Sequence, residues 1–139
     1  MTRVDFHFNA PDKLHYGSRL LRKIYRSGQR AVVFGDPAEI AEFDSLLWTF
    51  SALDFIPHVY AGDPLAGQTP LLLCSEPVDT PHVDLLVNLS RSTPAFFSRF
   101  ERLIEVVSTG EADRAAARER WRFYKDRGYA VHSFDLAAA

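Results

Sequence analysis

Apolar and polar residues alternate with period two in RVDFHF, residues 3–8, which predicts a strand. The period then changes. Leu14, Leu20, Leu21 and Ile24 recur at helical spacing, with Asp12 placed to cap the start and Gly28 to stop the helix. RAVVFG, residues 30–35, is a β-branched run that predicts a buried strand. Asp36 and Pro37 open a second helix, with Ile40, Phe43, Leu47 and Trp48 on its apolar side. Residues 54–70 are rich in Pro and Gly and leave room for a short strand over 58–60 and a loop. LLLCS (71–75) and VDLLVNLS (83–90) predict two more strands, Pro94 a short helix to Phe100, and LIEVVS (103–108) another strand. Asp113 to Arg127 predicts the last helix, stopped by Gly128. AVHSF (130–134) predicts a final strand, and residues 135–139 a frayed tail. Such alternation predicts one α/β domain, a mainly parallel central sheet flanked by helices.

At 139 residues, 47% hydrophobic and 13% aromatic, the chain can fill one sizeable core. No apolar run approaches the ~20 residues of a membrane span. The N-terminus reads neither as a signal peptide nor as a basic transit peptide. A single Cys, Cys74, sits in an apolar run and predicts a buried, inert thiol. Together these predict a cytoplasmic chain with no membrane partner.

Catalytic and cofactor signatures are missing. The five His are scattered, and none pairs with another at metal-ligand spacing, so no metal site is predicted. FGDP (34–37) lies where a phosphate loop would lie, but neither glycine fingerprint is present and Asp36 would repel phosphate. There is no G-x-S-x-G elbow and no nucleophile set beside a base. No cofactor is predicted, and the chain reads as no enzyme.

The charge is uneven. The net charge is -2, yet Arg114 to Arg127 holds six basic residues and two acids. On a helix, Arg114, Arg118, Arg122 and Lys125 fall on one stripe with Trp121 at its edge. Asp126, four residues after Arg122, is the one acid at i±4 from the stripe, and the cations it leaves unrelieved predict an anion from outside. Arg120 and Arg127 fall on the docking side with Ala116, Phe123 and Tyr124, so one of them must snorkel or pair with an acid. A basic patch one helix wide suits a short acidic peptide better than a long nucleic acid. Direct nucleic-acid binding is predicted to be weak or absent.

LLWTFSALDFIPHVYAGDP (46–64) and ARERWRFYKDRGY (117–129) resemble two motifs of the chi subunit of bacterial DNA polymerase III holoenzyme. The first matches a Leu-Trp, then Phe-hydrophobic-Pro-His, then Ala-Gly pattern. The second matches an Arg-Glu-Arg-aromatic helix ending in Gly. The resemblance covers nearly the whole chain and implies a Rossmann-like, non-enzymatic adaptor. Chi subunits join the clamp loader, through the psi subunit, to the acidic C-terminal tail of single-stranded DNA-binding protein, which ends in Pro-Phe.

Carried over, the resemblance places Arg118 as principal cation of a tail site, with Arg114 where the family has Lys. Trp121 stands at an aromatic position, Trp48 matches the motif Trp, and Ser133 a small hydroxyl residue. Arg122 and Lys125 join from the helical wheel. Phe55 and Ile56 would contact psi, or a helicase on the same surface. Two other functions compete: a small nucleotide-binding α/β enzyme with a pocket near Gly35, and a direct binder of single-stranded nucleic acid stacking bases on Trp121 and Trp48.

Overall fold

A computed structural model describes residues 1–49 and 56–138. Seven strands form one sheet: β1 (Arg3–Ala10), β2 (Ala31–Phe34), β3 (His58–Tyr60), β4 (Leu71–Cys74), β5 (Leu85–Asn88), β6 (Arg102–Ser108) and β7 (Val131–Asp135). Their spatial order is β3-β4-β2-β5-β6-β1-β7, and every pairing is parallel. Among the described residues three α-helices flank the sheet: α1 (Lys13–Arg26), α2 (Pro37–Thr49) and α3 (Glu111–Asp126). The Asp12 carboxylate accepts the His15 backbone N–H at 3.1 Å and starts α1. Gly28 and Gly128 both adopt φ 79°, ending α1 and α3 in the left-handed conformation that only Gly adopts freely.

Strand order and right-handed crossover together decide which face each connection covers. The steps from β1 to β2 and from β2 to β3 run toward the β3 edge, and α1 and α2 pack on one face. Every later step runs toward the β7 edge, so its connection covers the other face. Ala66, Val78, the Phe96–Phe97–Phe100 cluster and α3 all pack there. Two cores result. Leu21, Ile40 and Phe43 meet Val33 and Ile104 on one face; Phe6, Val107, Ala117 and Tyr124 meet on the other.

Two expected elements differ. Pro94–Phe100 holds only a single 3-10 turn, Phe97–Arg99. The step from β5 to its neighbour β6 is short, and Phe96, Phe97 and Phe100 are all buried in the sheet's face, which a turn satisfies and a helix would not. Regular structure also continues past the last expected strand residue. β7 runs to Asp135, Leu136–Ala138 form another 3-10 turn, and Leu136 packs on the α1-side core.

The carboxyl ends of the central strands, where open parallel sheets leave a ligand crevice, are filled by the chain itself. Lys13 Nζ donates to the Leu89 carbonyl at 2.7 Å and to Asp113 at 3.0 Å. The Ser108 N–H donates to Asp113 at 2.7 Å. Over Gly35, a Cβ would meet Glu39 Oε1 at 2.9 Å, so the first turn of α2 sits where a phosphate would have to enter. The Cys74 thiol is buried and pushed up to about 12, as an inert core residue should be.

Asp113 ties the start of α3 to β6 and to α1. Burial pushes its carboxyl up, but the Ser108 N–H and Lys13 outweigh that and hold it below the usual range. A depressed carboxyl stabilises fully above its ordinary value of about 3.9, and that stabilisation is lost as pH falls through the depressed value. Asp113→Asn is therefore expected to cost about 1–3 kcal/mol at pH 7 and to flatten the acid limb of the stability profile. Urea unfolding between pH 2 and 7 checks this, and an unchanged acid limb would count against it.

Candidate functional site

α3 docks through Asp113, Ala117, Arg120 and Tyr124, all buried. The contact line is rotated from the expected one, with Ala116 and Phe123 only half-buried at its flank. Arg120 resolves the expected conflict by pairing with an acid. It is 3% exposed, and its Nε donates to Glu105 Oε1 at 3.1 Å. Tyr124 donates to Glu105 Oε2 at 2.6 Å, and Asn88 to Oε1 at 2.8 Å. Burial raises the Glu105 carboxyl above its usual range, and these three partners pull against it. Arg127 spreads over the Phe123 ring, 3.7 Å from its centroid.

On the other flank of α3 lies a groove of about 420 Å³. Phe6 and Phe8 of β1 and Val107 of β6 form its floor. Arg114, Arg118 and Arg122, one turn apart along α3, form one wall with Trp121 between them. Ser133 on the edge strand β7 forms the opposite rim, because it pairs in register with Phe6 and so shares its face. Trp121 packs on Phe6 with ring centroids 5.2 Å apart, which leaves its indole half-buried rather than fully exposed. Lys125 Nζ stands 5.7 Å from the Trp121 ring centroid, just beyond the groove.

The stripe is less bare than its sequence suggests. Arg118 Nη1 lies 3.4 Å from Glu111, and Arg122 Nη1 lies 2.9 Å from Glu119. All four side chains are more than half exposed, so solvent screens both pairs and each is weak. These two acids sit seven and three residues away, so neither pair has the i, i+4 spacing.

Five of the expected tail-site residues (Arg114, Arg118, Trp121, Arg122 and Ser133) thus share one groove, with Lys125 at its margin. Trp48 does not join them. It sits on α2, on the opposite face of the sheet from α3, 55% exposed with its ring 4.8 Å from His58 of β3. β3 and β7 are the two outer strands, six strand spacings or roughly 29 Å apart. Ile56 is 2% exposed within the α1–α2 core and offers no side chain to a partner. Phe55 lies outside the described residues. Near the same edge, Tyr60 and Leu65 are 45% and 54% exposed.

The floor residues escaped the sequence reading. Alternation in RVDFHF puts Phe6 and Phe8 on one face, but nothing local says which helix covers that face. Among the described residues no cluster of His, Cys, Asp or Glu could hold a metal ion.

Comparison with known proteins shows the family. Residues 1–132 match the family described as DNA polymerase III chi subunit, HolC. A DNA polymerase III subunit chi from Pseudomonas aeruginosa is 36% identical over 98% of both chains. Those of Haemophilus influenzae and Escherichia coli are 29% and 26% identical, over 79% and 78% of this chain and 78% and 76% of theirs. The chain belongs to the DNA polymerase III chi subunit family, a non-catalytic accessory subunit of that holoenzyme.

Proposed function

We propose that the α3 groove receives the acidic C-terminal tail of single-stranded DNA-binding protein, and that the chain tethers that protein to the clamp loader through psi. The observation that carries this reading is the meeting of Arg118 and Trp121 over the floor of Phe6 and Phe8. A terminal Phe carries an apolar ring and a carboxylate on one residue. The groove supplies an apolar floor and a guanidinium within one helical turn of each other. Arg118 would take the terminal carboxylate through its planar fork. The Trp121 indole and the floor would cover the ring, and Ser133 would bond the backbone. Arg114, Arg122 and Lys125 would attract the aspartates upstream.

The psi or helicase contact belongs at the β3 edge, where Tyr60 and Leu65 are exposed; Phe55, the residue the resemblance assigns to it, lies outside the described residues. Trp48 belongs with that surface rather than with the tail site, and Ile56 supports it from inside. No helix among the described residues is long and apolar enough to cross a membrane, which fits work in the cytoplasm.

Calorimetric titration with an acidic nonapeptide ending in Pro-Phe tests the tail reading. Micromolar affinity is expected, about 8 kcal/mol, weakening with salt. Removal of the terminal Phe should abolish binding. A peptide that binds as well without its Phe, or not at all in its intact form, would sink the reading.

A further inference from the structure

We propose that the outward face of α1 is a second anion-binding surface, and that its ligand is single-stranded nucleic acid. From Lys13 to Arg30 the chain carries six cations and no acid, a net charge of +6 against +4 for Arg114 to Arg127. Gly17, Ser18, Leu21 and Ile24 bury one side of α1 against the sheet and α2. Arg19, Arg22, Lys23 and Arg26 recur at i, i+3, i+4 and i+7 on the other side, a stripe about 10 Å long. Arg19, Lys23 and Arg26 are exposed and Arg22 is half-buried. A groove of about 450 Å³ runs along the stripe, and its lining comes from α1 alone: these four cations with Tyr16 and Leu20.

The positive field reaches neighbouring groups. His7 is held below its usual range by burial first, then by Arg102 and Lys23. Burial raises the Tyr16 hydroxyl, and Arg19 pulls against it. Tyr16 and His7 are hydrogen-bonded at 2.6 Å, and the Phe134 ring meets His7 edge-on at 5.3 Å. Phe134 is 44% exposed, so a flat apolar surface lies beside the stripe. A cationic groove flanked by aromatic rings is the usual equipment for a sequence-tolerant single strand.

Three other anions fit less well. An acidic peptide with an aromatic end needs an apolar floor, which the α3 groove has in Phe6, Phe8 and Val107, whereas this one sets only Leu20 and Tyr16 among its cations. A membrane would need several apolar side chains to insert, but Leu21 and Ile24 are 0% and 5% exposed and Leu20 is half-buried, which leaves the Tyr25 ring, 38% exposed, as the large apolar group offered. Duplex DNA would need a footprint wider than one helix, and the acids of this chain lie outside the α1 run.

α1 and α3 lie on opposite faces of the sheet. A chain held by one face therefore leaves the other free. A contact that is weak alone gains from tethering, because a short flexible link raises the local concentration to the millimolar range. Arg22 and Arg26 have interactions of their own within the chain, so the test falls on Arg19 and Lys23.

Fluorescence anisotropy with a labelled oligothymidylate at low salt, on the full chain, decides the matter. Wild type is expected to bind weakly and Arg19→Glu/Lys23→Glu at least tenfold more weakly. Loss of two phosphate contacts should flatten the salt slope by about 1.4, at ~0.7 per contact on a single strand. Arg118→Ala should leave oligonucleotide binding unchanged. The α1 variant should keep the melting temperature and the peptide affinity of wild type. Arg19→Ala/Lys23→Ala serves if charge reversal perturbs folding. The proposal is overturned if wild type shows no binding, if both α1 variants bind like wild type, or if only Arg118→Ala reduces binding. It is also overturned if the acidic peptide displaces the oligonucleotide directly from α1. Loss of peptide binding alone would strike the tail reading and leave this one standing.

Discussion

Arg120→Met is expected to lower the unfolding free energy by about 3–5 kcal/mol, a large share of the ~5–15 kcal/mol typical of a domain. Arg120 and Glu105 face each other at 3.1 Å with side chains 3% and 0% exposed. Without the guanidinium, Glu105 keeps only Tyr124 and Asn88 as donors, and its charge stays buried without a counter-charge. Methionine fills much of the same volume, so the loss reports electrostatics more than a cavity. Arg120→Met/Glu105→Gln removes both charges and should recover most of the stability, since replacing a buried pair whole is far cheaper than breaking it.

The pH dependence follows from the direction of the Glu105 shift. Its carboxyl is raised by burial against the pull of Arg120, Tyr124 and Asn88. The folded chain thus holds that proton more tightly than the unfolded chain. Stability falls as pH rises between the ordinary value of about 4.3 and the raised one. Arg120→Met removes the main opposing charge and widens that window upward, so the variant should be relatively better at pH 5 than at pH 8. Denaturant unfolding at both pH values measures it. A loss below about 1 kcal/mol, set against the surface ion-pair scale, would mean that water or another cation replaces Arg120.

Much of this arrangement is legible in the residues. The two glycine stops, the Asp12 cap and the Asp36–Pro37 start each rest on local backbone chemistry, and local chemistry survives tertiary packing. The shared stripe of the α3 cations is legible for a similar reason: one helix fixes their mutual spacing whatever it packs on. Ser133 came only from the family resemblance, and the parallel register of β7 with β1 explains why it reaches that groove.

What fails is inference across elements. Trp48 and Trp121 look equivalent along the chain, yet opposite crossover directions send α2 and α3 to opposite faces. Ile56 stands in the same motif as Phe55, but a motif does not say which of its residues the core takes, and Ile56 is buried. The acid-free run from Lys13 to Arg30 stands in the residues themselves, on the outer face of α1 that leucine spacing does not describe. Glu111 reaches Arg118 from two turns away, a pairing that follows from side-chain length more than from helical period.

Arg118→Ala is expected to weaken the tail peptide at least tenfold. Arg118 sits at the middle of the groove wall, with Arg114 and Arg122 a turn to either side. A carboxylate docked there accepts two hydrogen bonds from one planar group, and a charge-assisted partner is worth roughly 1.5–3 kcal/mol, against about 1.4 kcal/mol per tenfold. Glu111 stands in the way at 3.4 Å, but it is 76% exposed and easily displaced. Glu111→Gln should therefore strengthen the peptide a few-fold, by no more than the ~1 kcal/mol of an exposed pair. Arg118→Lys should recover only part of the loss, because an ammonium lacks the fork. The melting temperature should barely move, since Ala favours the helix and Arg118 is half exposed. The decisive measurement pairs Arg118→Ala with a peptide amidated at its C-terminus. Amidation should cost wild type much more than it costs the variant, because both changes remove the same contact. Additive costs would place the terminal carboxylate elsewhere, on Arg114 or Arg122, and would falsify the pairing even while the groove still binds acid.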